Sequence, residues 1–356
     1  MRRLFLLITV FSLLMTACSK TTTTAIEEPT NDIQESTSEV DKSVLDPAIV
    51  KAIKIELGKS SDYELTEADL QEVTYLAIFE ESVSSLDGIS MLTNLRELHI
   101  SYGGIVDISE LALLTELVFI DISHCYIREI PDLSNCKQLE SLYLSDNLIE
   151  DISSLSKIDN LKYLNLDCNP ISYIKPLEDC VDLEFFSVIG NCILDYNNIE
   201  DKAFIDAFNE GAQVDFSQYV QVENRAKEFV ASLPENLSDE EKLSIIYQYV
   251  IDTMKFDDSV RPYTAFGYAG LFNGKGVCGD YAEMFCILAN HAGLECYVCV
   301  SETHAWNIAK IDGKYYHFDA LWDEVEDEWK HFMVTTDYIM DLPDHIYDVN
   351  RYPICE

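Results

Sequence analysis

Between Val73 and Ile193 one spacing recurs with a period of 22 residues, and it constrains the fold more than any other feature of this chain. Counting from Val73, Leu95, Leu117, Leu139, Leu161 and Leu183, the residue three places on is Leu76, Leu98, Ile120, Leu142, Leu164 and Phe186. Five places on stand Ile78, Ile100, Ile122, Leu144, Leu166 and Val188, and ten places on Val83, Ile105, Ile127, Ile149, Ile171 and Ile193. A unit this short cannot bury its apolar face alone, so neighbours must stack, and six such units suffice for a continuous core.

Written out, the unit is L-x-x-L-x-L-x-x-N-x-I, with Asn147, Asn169 and Asn191 at the asparagine position and Cys125 there in its own repeat. It resembles the leucine-rich repeat, in its internalin-type form, which implies an α/β solenoid of parallel strands. Asp46 to Leu57 has apolar residues at helical spacing (Ile49, Val50, Ile53, Leu57) and stops at Gly58. Residues 46–212 are therefore expected to form a repeat domain with an N-terminal helical cap, Asp201 to Ala212 closing its far end. Cys136 and Cys180 fall in an apolar column and are expected in the core. The outward column reads Tyr75, Glu97, Phe119, Ser141, Tyr163 and Phe185, with His99, Asp121, Tyr143 and Asn165 beside it. Exposed aromatics among polar groups have the composition of a protein-docking face, so Tyr75, Phe119, Tyr143, Tyr163 and Phe185 are candidate partner-binding residues. The alternative is that these rings only shield the sheet.

The chain of 356 residues carries 64 acidic against 24 basic side chains, a formal charge of -40. Such a surface repels phosphate backbones and argues against a nucleic-acid partner. Arg2-Arg3 followed by the apolar run Leu4 to Met15 reads as an export signal too short to span a bilayer. Its end, Leu14-Met15-Thr16-Ala17-Cys18, resembles a bacterial lipobox and implies cleavage after Ala17 with lipid attached at Cys18. The expectation is a signal peptide over 1–17, a Thr-, Ser- and Glu-rich tether over 18–45, and a membrane lipoprotein facing away from the cytoplasm. Cys296 and Cys299 form a C-x-x-C inside a strand-like run with no second ligand pair, so strand packing is the expected role. No zinc-type spacing occurs, and no metal or cofactor is expected.

Beyond Glu200 the period ends. Gln213 to Gln221 reads as a junction, followed by helices over Val222 to Leu233 and Ser238 to Met254, the second opening on the capping signature Ser238-Asp239-Glu240-Glu241. Cys278 follows Gly274-Lys275-Gly276-Val277 and begins an apolar pattern at helical spacing that Gly293 closes. A thiol at a helix N-terminus is favoured as thiolate, and the free N–H groups there suit an oxyanion. Ala305 to Ile311, Asp312-Gly313 and Lys314 to Ala320 read as a hairpin, which brings His304 and Asp319 near each other across the sheet. Cysteine, base and orienting carboxylate are what nucleophilic catalysis by sulfur requires. His317 and His331 are competing histidines, and Asp323 to Glu328 reads as a solvated acidic loop.

The segments Tyr268 to Ala282, His304-Ala305-Trp306-Asn307-Ile308 and Tyr316 to Asp323 resemble the cysteine, histidine and aspartate segments of bacterial transglutaminase-like (transglutaminase/protease-like) domains. The resemblance implies an α+β papain-like domain over 222–356, with Cys278 as nucleophile, His304 as general base and acid, and Asp319 as orienter. It further implies oxyanion or substrate contacts from Tyr268 and Trp306. Ala320-Leu321 stands where the family often has Pro-Thr, a departure at the rim. The expected activity is cysteine-dependent acyl transfer at protein amides, as a transglutaminase or a protease, on a protein or peptide substrate. The alternative is a non-catalytic adhesion or protein-binding lipoprotein with a vestigial triad.

Overall fold

The computed structural model describes residues 44–79, 82–196, 199, 202–212, 215–259 and 265–356. The expected signal peptide, Cys18 and nearly all of the tether lie outside the described residues. Among those described, no helix is long and apolar enough to cross a membrane.

The 22-residue period becomes a six-stranded parallel sheet in sequence order: β1 (Tyr75–Ile78), β2 (Glu97–Ser101), β3 (Phe119–Ser123), β4 (Ser141–Tyr143), β5 (Tyr163–Asn165) and β6 (Phe185–Ser187). Register pairs equivalent residues of adjacent units, Leu76 with Leu98 and Leu98 with Ile120, and on through Phe186. That whole inward column is 0% exposed, which decides in favour of a packed solenoid over a hollow one. The chain returns on the far side through short 3-10 turns such as Ser109–Leu113 and Ser153–Lys157, each burying its leucine. Where the chain leaves the strand, backbone groups lose their strand partners, and an asparagine can supply both a donor and an acceptor. Asn169 Nδ2 donates to Leu144 O at 2.9 Å, and its Oδ1 accepts from Ile149 N at 3.0 Å. Asn147 and Asn191 repeat this bridge between units. Cys136 and Cys180 are buried, as expected of core positions, and so is Cys125 at the asparagine position.

Both solenoid ends are covered. Helix α1 (Pro47–Glu56) buries Ile49 and Ile53, and its N-cap Asp46 also accepts from Ser84 N and Oγ of the first repeat. The short α2 (Glu67–Glu72) follows with a Thr66/Asp69 capping box. At the other end α3 (Lys202–Ala212) sets Phe204 and Phe208 against Phe186. The next helix, α4 (Phe216–Ala231), starts six residues before the expected Val222. Asp215 caps it, and Phe216 and Tyr219 add a buried aromatic turn against Tyr196 and Phe208, so most of the expected junction is helix.

The C-terminal part is α+β. Helices α5 (Asp239–Thr253) and α6 (Cys278–His291) lie beside an antiparallel sheet ordered β10 (Phe332–Val334), β9 (Lys314–Phe318), β8 (Ala305–Ile311), β7 (Cys296–Val300). Ser238 and Glu241 complete the predicted capping box of α5. The β8–β9 turn places Asp312 and Gly313 at φ 50° and 83°, the left-handed region a tight hairpin turn demands. Helix α7 (Ala320–Glu326) and the short α8 (Thr336–Met340) flank β10. One continuous apolar core runs from Leu45 to Leu321, through both the repeats and this α+β part. A smaller cluster around Cys299, Trp306, Ile308 and Tyr347 is separate from it.

Candidate active site

Cys278 is the first residue of α6 and is half-buried. The helix start is fixed by Asp280, whose carboxylate accepts from Val277 N at 2.8 Å. Gly276 lies so close to that carboxylate that a Cβ there would collide with it, which explains a glycine two residues before the cysteine. Burial pushes the thiol up, yet the net shift is below its ordinary value. The hydrogen bond and charge of His304, with the N–H groups of Ala305 and Gly279 directed at sulfur, outweigh the desolvation.

His304 immediately precedes β8 and is 8% exposed. A turn seats it, with Ser301 Oγ accepting from His304 N at 3.0 Å and Ser301 N donating to His304 O at 2.9 Å. Its Nε2 stands 2.6 Å from Asp319 Oδ2, which leaves Nδ1 as the ring nitrogen for Cys278. Burial opposes the imidazolium, but hydrogen bonds to Asp319 and Cys278 raise His304 to about 9. Asp319, almost wholly buried, is likewise opposed by burial and nonetheless lowered to about 2 by His304 and His345.

Asp319 does not sit in the second hairpin strand, as expected. The strand ends at Phe318, and Asp319 is the N-cap of α7. Its Oδ1 accepts from Leu321 N and Trp322 N at 3.1 Å each, so one oxygen caps the helix and the other faces the histidines. The second histidine is His345, in the turn Pro343–His345, whose Nε2 lies 2.8 Å from Asp319 Oδ2. Nothing in the sequence pattern marked it. It stands 26 residues beyond Asp319, in a turn with no periodicity. Spacing alone would let His304, Asp319 and His345 converge on an ion, but their facing atoms already hydrogen-bond one another.

Trp306 departs from its expected substrate position. It is 1% exposed, its Nε1 donates to His317 Nδ1 at 2.9 Å, and its ring lies against His304 and His345. It belongs to the packed layer behind the imidazoles, because an indole buried this deeply needs an internal acceptor. That bond also occupies His317, while His331 Nδ1 is held by Asp323 Oδ1 at 2.8 Å. Asp323 is not part of a solvated loop but a buried residue of α7, reached by Tyr247 and by Lys330 N and His331 N. Tyr268 precedes the helical turn Ala269–Asn273 and stacks on Phe272 at 4.7 Å. On the repeats, Tyr75, His99, Phe119 and Tyr143 form a run of ring contacts at 5.4, 4.5 and 5.3 Å. Tyr163 and Phe185 continue the outward row, half-buried.

Residues 224–320 match the family model described as Transglutaminase-like superfamily, and residues 115–157 match Leucine Rich repeats (2 copies). No curated protein matches the chain. Among solved structures, an internalin C2 of Listeria monocytogenes is similar at 25% identity over 46% of this chain and 81% of that one, with a TM-score of 0.36. An internalin (inlF) of the same organism gives 26% identity over 46% and 54%, with a TM-score of 0.38. The functional domain of its InlJ gives 18% over 45% and 34%, with a TM-score of 0.41. The chain thus spans less than two thirds of the latter two.

Proposed function

We propose that this chain, which joins leucine-rich repeats to a transglutaminase-like domain, is an exported, lipid-anchored enzyme of cysteine-dependent acyl transfer on protein amides. The Cys278 thiolate attacks the amide carbonyl carbon, and the carbonyl electrons move onto oxygen. As the tetrahedral adduct collapses, His304 gives its proton to the departing nitrogen, leaving a thioester on Cys278. His304 then takes a proton from water or a primary amine, which attacks the thioester carbonyl and expels the Cys278 thiolate, restoring the starting ion pair. Water gives hydrolysis and an amine gives a cross-link. Asp319 stays ionised throughout and holds the imidazole so that one nitrogen faces sulfur.

The observation that carries this reading is the hydrogen-bonded series Cys278, His304, Asp319, with its opposed shifts of thiol and imidazole, at the head of a helix. Cys278 is only partly buried, which gives a substrate carbonyl a way in. The aromatic row on the repeats supports their recruiting a protein partner, and the same row alone favours the second reading, a binding lipoprotein with an idle triad. Cys18 would carry the lipid and keep the enzyme on the outer face of the membrane. Incubating the protein with a glutamine-containing protein and a primary amine, then weighing the products, separates the outcomes. Amine incorporation or cleavage lost in Cys278→Ala supports the enzyme. Products unchanged by that variant, or none, leave only the binder.

A further inference from the structure

Asp319 is saturated: two backbone N–H groups occupy Oδ1, and the Nε2 atoms of His304 and His345 share Oδ2. A carboxylate offers about four acceptor positions, so no freedom to turn remains. His345 is 0% exposed, and its polar connection runs through Nε2, since Nδ1 has no hydrogen-bond partner among the described residues. Its ring packs 4.7 Å from those of both His304 and Trp306.

His345 is delivered by a strap that crosses from the sheet to the repeats. Ser301 Oγ, which seats His304, donates to Asp344 O at 2.6 Å. Tyr347 packs edge-on against Trp306, and Tyr352 OH accepts from Val300 N. Beyond these, Asp348 Oδ2 accepts from Tyr126 OH, and the Arg351 guanidinium donates to Asp146 Oδ1, each at 2.5 Å. Tyr126 and Asp146 belong to the repeats, so the solenoid fixes the far end of the segment that holds His345.

We propose that His345 is a positioning residue of the acyl-transfer site, fixing Asp319 so that His304 stays on Cys278, and that the repeats hold it there through the Asp348 and Arg351 contacts. The inference rests on the acyl-transfer reading above. The charged and titratable groups facing His345 are His304 and Asp319 on one side and His331, paired with Asp323, on the other, with His317 behind Trp306.

The test is the pH dependence of iodoacetamide alkylation at Cys278, read by mass on its peptide so that other cysteines do not contribute. Wild type is compared with His345→Ala, His345→Gln and Arg351→Ala, with thermal melts as the folding control. Glutamine keeps an N–H donor three bonds from Cβ, where histidine Nε2 stands. Expected are a rate near pH 6 lowered about tenfold in the alanine variant, the equivalent of one pKa unit, restoration by glutamine to within about threefold, and an intermediate loss for Arg351→Ala. A folded alanine variant whose profile superimposes on wild type overturns the proposal, as does a glutamine variant as slow as alanine. Should the alanine variant not fold, Arg351→Ala decides: a slower low-pH rate supports the strap, and an unchanged one overturns it. A wild-type profile with no alkylation below pH 7 overturns the acyl-transfer reading itself, an outcome distinct from all of these.

Discussion

The Tyr247 hydroxyl on α5, completely buried, lies 2.5 Å from Asp323 Oδ2 and 2.7 Å from the backbone carbonyl of Asp319. One phenol thereby ties a helix of the α+β part to both ends of the turn that carries the orienting carboxylate. Asp323 also receives His331 Nδ1 and two backbone N–H groups, so it remains partnered without the tyrosine. Tyr247→Phe keeps the ring contacts with Phe285, Phe318 and Phe332 and deletes only the hydroxyl. Urea unfolding should show a loss of about 1.5–3 kcal/mol, the worth of a hydrogen bond to a charged group. A loss below a few tenths would mean the hydroxyl is not what fixes the turn.

Stability should follow the His304–Asp319 pair with pH. His304 is raised from 6.5 to about 9, so its contribution is complete below about pH 6.5 and disappears as pH rises through 9. Asp319 is lowered from 3.8 to about 2, so its contribution is present above 3.8 and disappears as pH falls through 2. Asp319→Ala removes a buried partner from two imidazoles and should cost about 3–5 kcal/mol near pH 6. The gap between wild-type and variant melting temperatures should narrow on either side of that window. A gap independent of pH would contradict the ion-pair assignment.

Asn169→Ala leaves Leu144 O, Leu166 O and Ile149 N without their side-chain partner in a buried turn. At about 1–3 kcal/mol for each unsatisfied group, the solenoid should be destabilised by several kcal/mol in denaturant titration.

Phe208 joins the last strand to α4: its ring lies 5.2 Å from Phe186, 5.1 Å from Phe216 and 5.1 Å from Tyr219. Phe208→Ala should cost about 3–5 kcal/mol. Wild type should unfold in one transition, since its core is continuous through both parts. In the variant, hydrogen exchange should show the repeats and the α+β part opening separately. Retained joint opening would show that the aromatic cluster is not what couples them.

How much of this was legible in the sequence follows from the range of each interaction. A period of 22 residues is a local signal summed over six units, so the stacked units, their inward columns and the asparagine positions could be read directly. The parallel sheet followed from the resemblance, and the bridges those asparagines make could not be read. The hairpin was legible for the same reason, as Asp312-Gly313 can take the left-handed conformation that its turn requires. Cysteine, histidine and aspartate could be named from their segments, but the means by which Asp319 serves them could not. A helix cap and a strand end look alike until the partners of Oδ1 are known. Helix α4 started early because Phe216 and Tyr219 found aromatic partners far back in the chain, at Tyr196 and Phe208. Asp323 looked solvated among its acidic neighbours, and only Tyr247 and His331, neither adjacent in sequence, bury it. His345 stayed invisible because its role depends on one long-range contact and on a strap anchored at Tyr126 and Asp146.

The most direct measurement of the central claim is intact-mass analysis after acid quench of the protein mixed with an activated ester of a glutamine-like acyl group. The account predicts one acyl group per chain, mapping to the peptide that contains Cys278, absent from Cys278→Ala and formed much more slowly by His304→Ala. An adduct equally abundant in Cys278→Ala, or no adduct at any pH between 6 and 9, the span up to the raised value of His304, would contradict it.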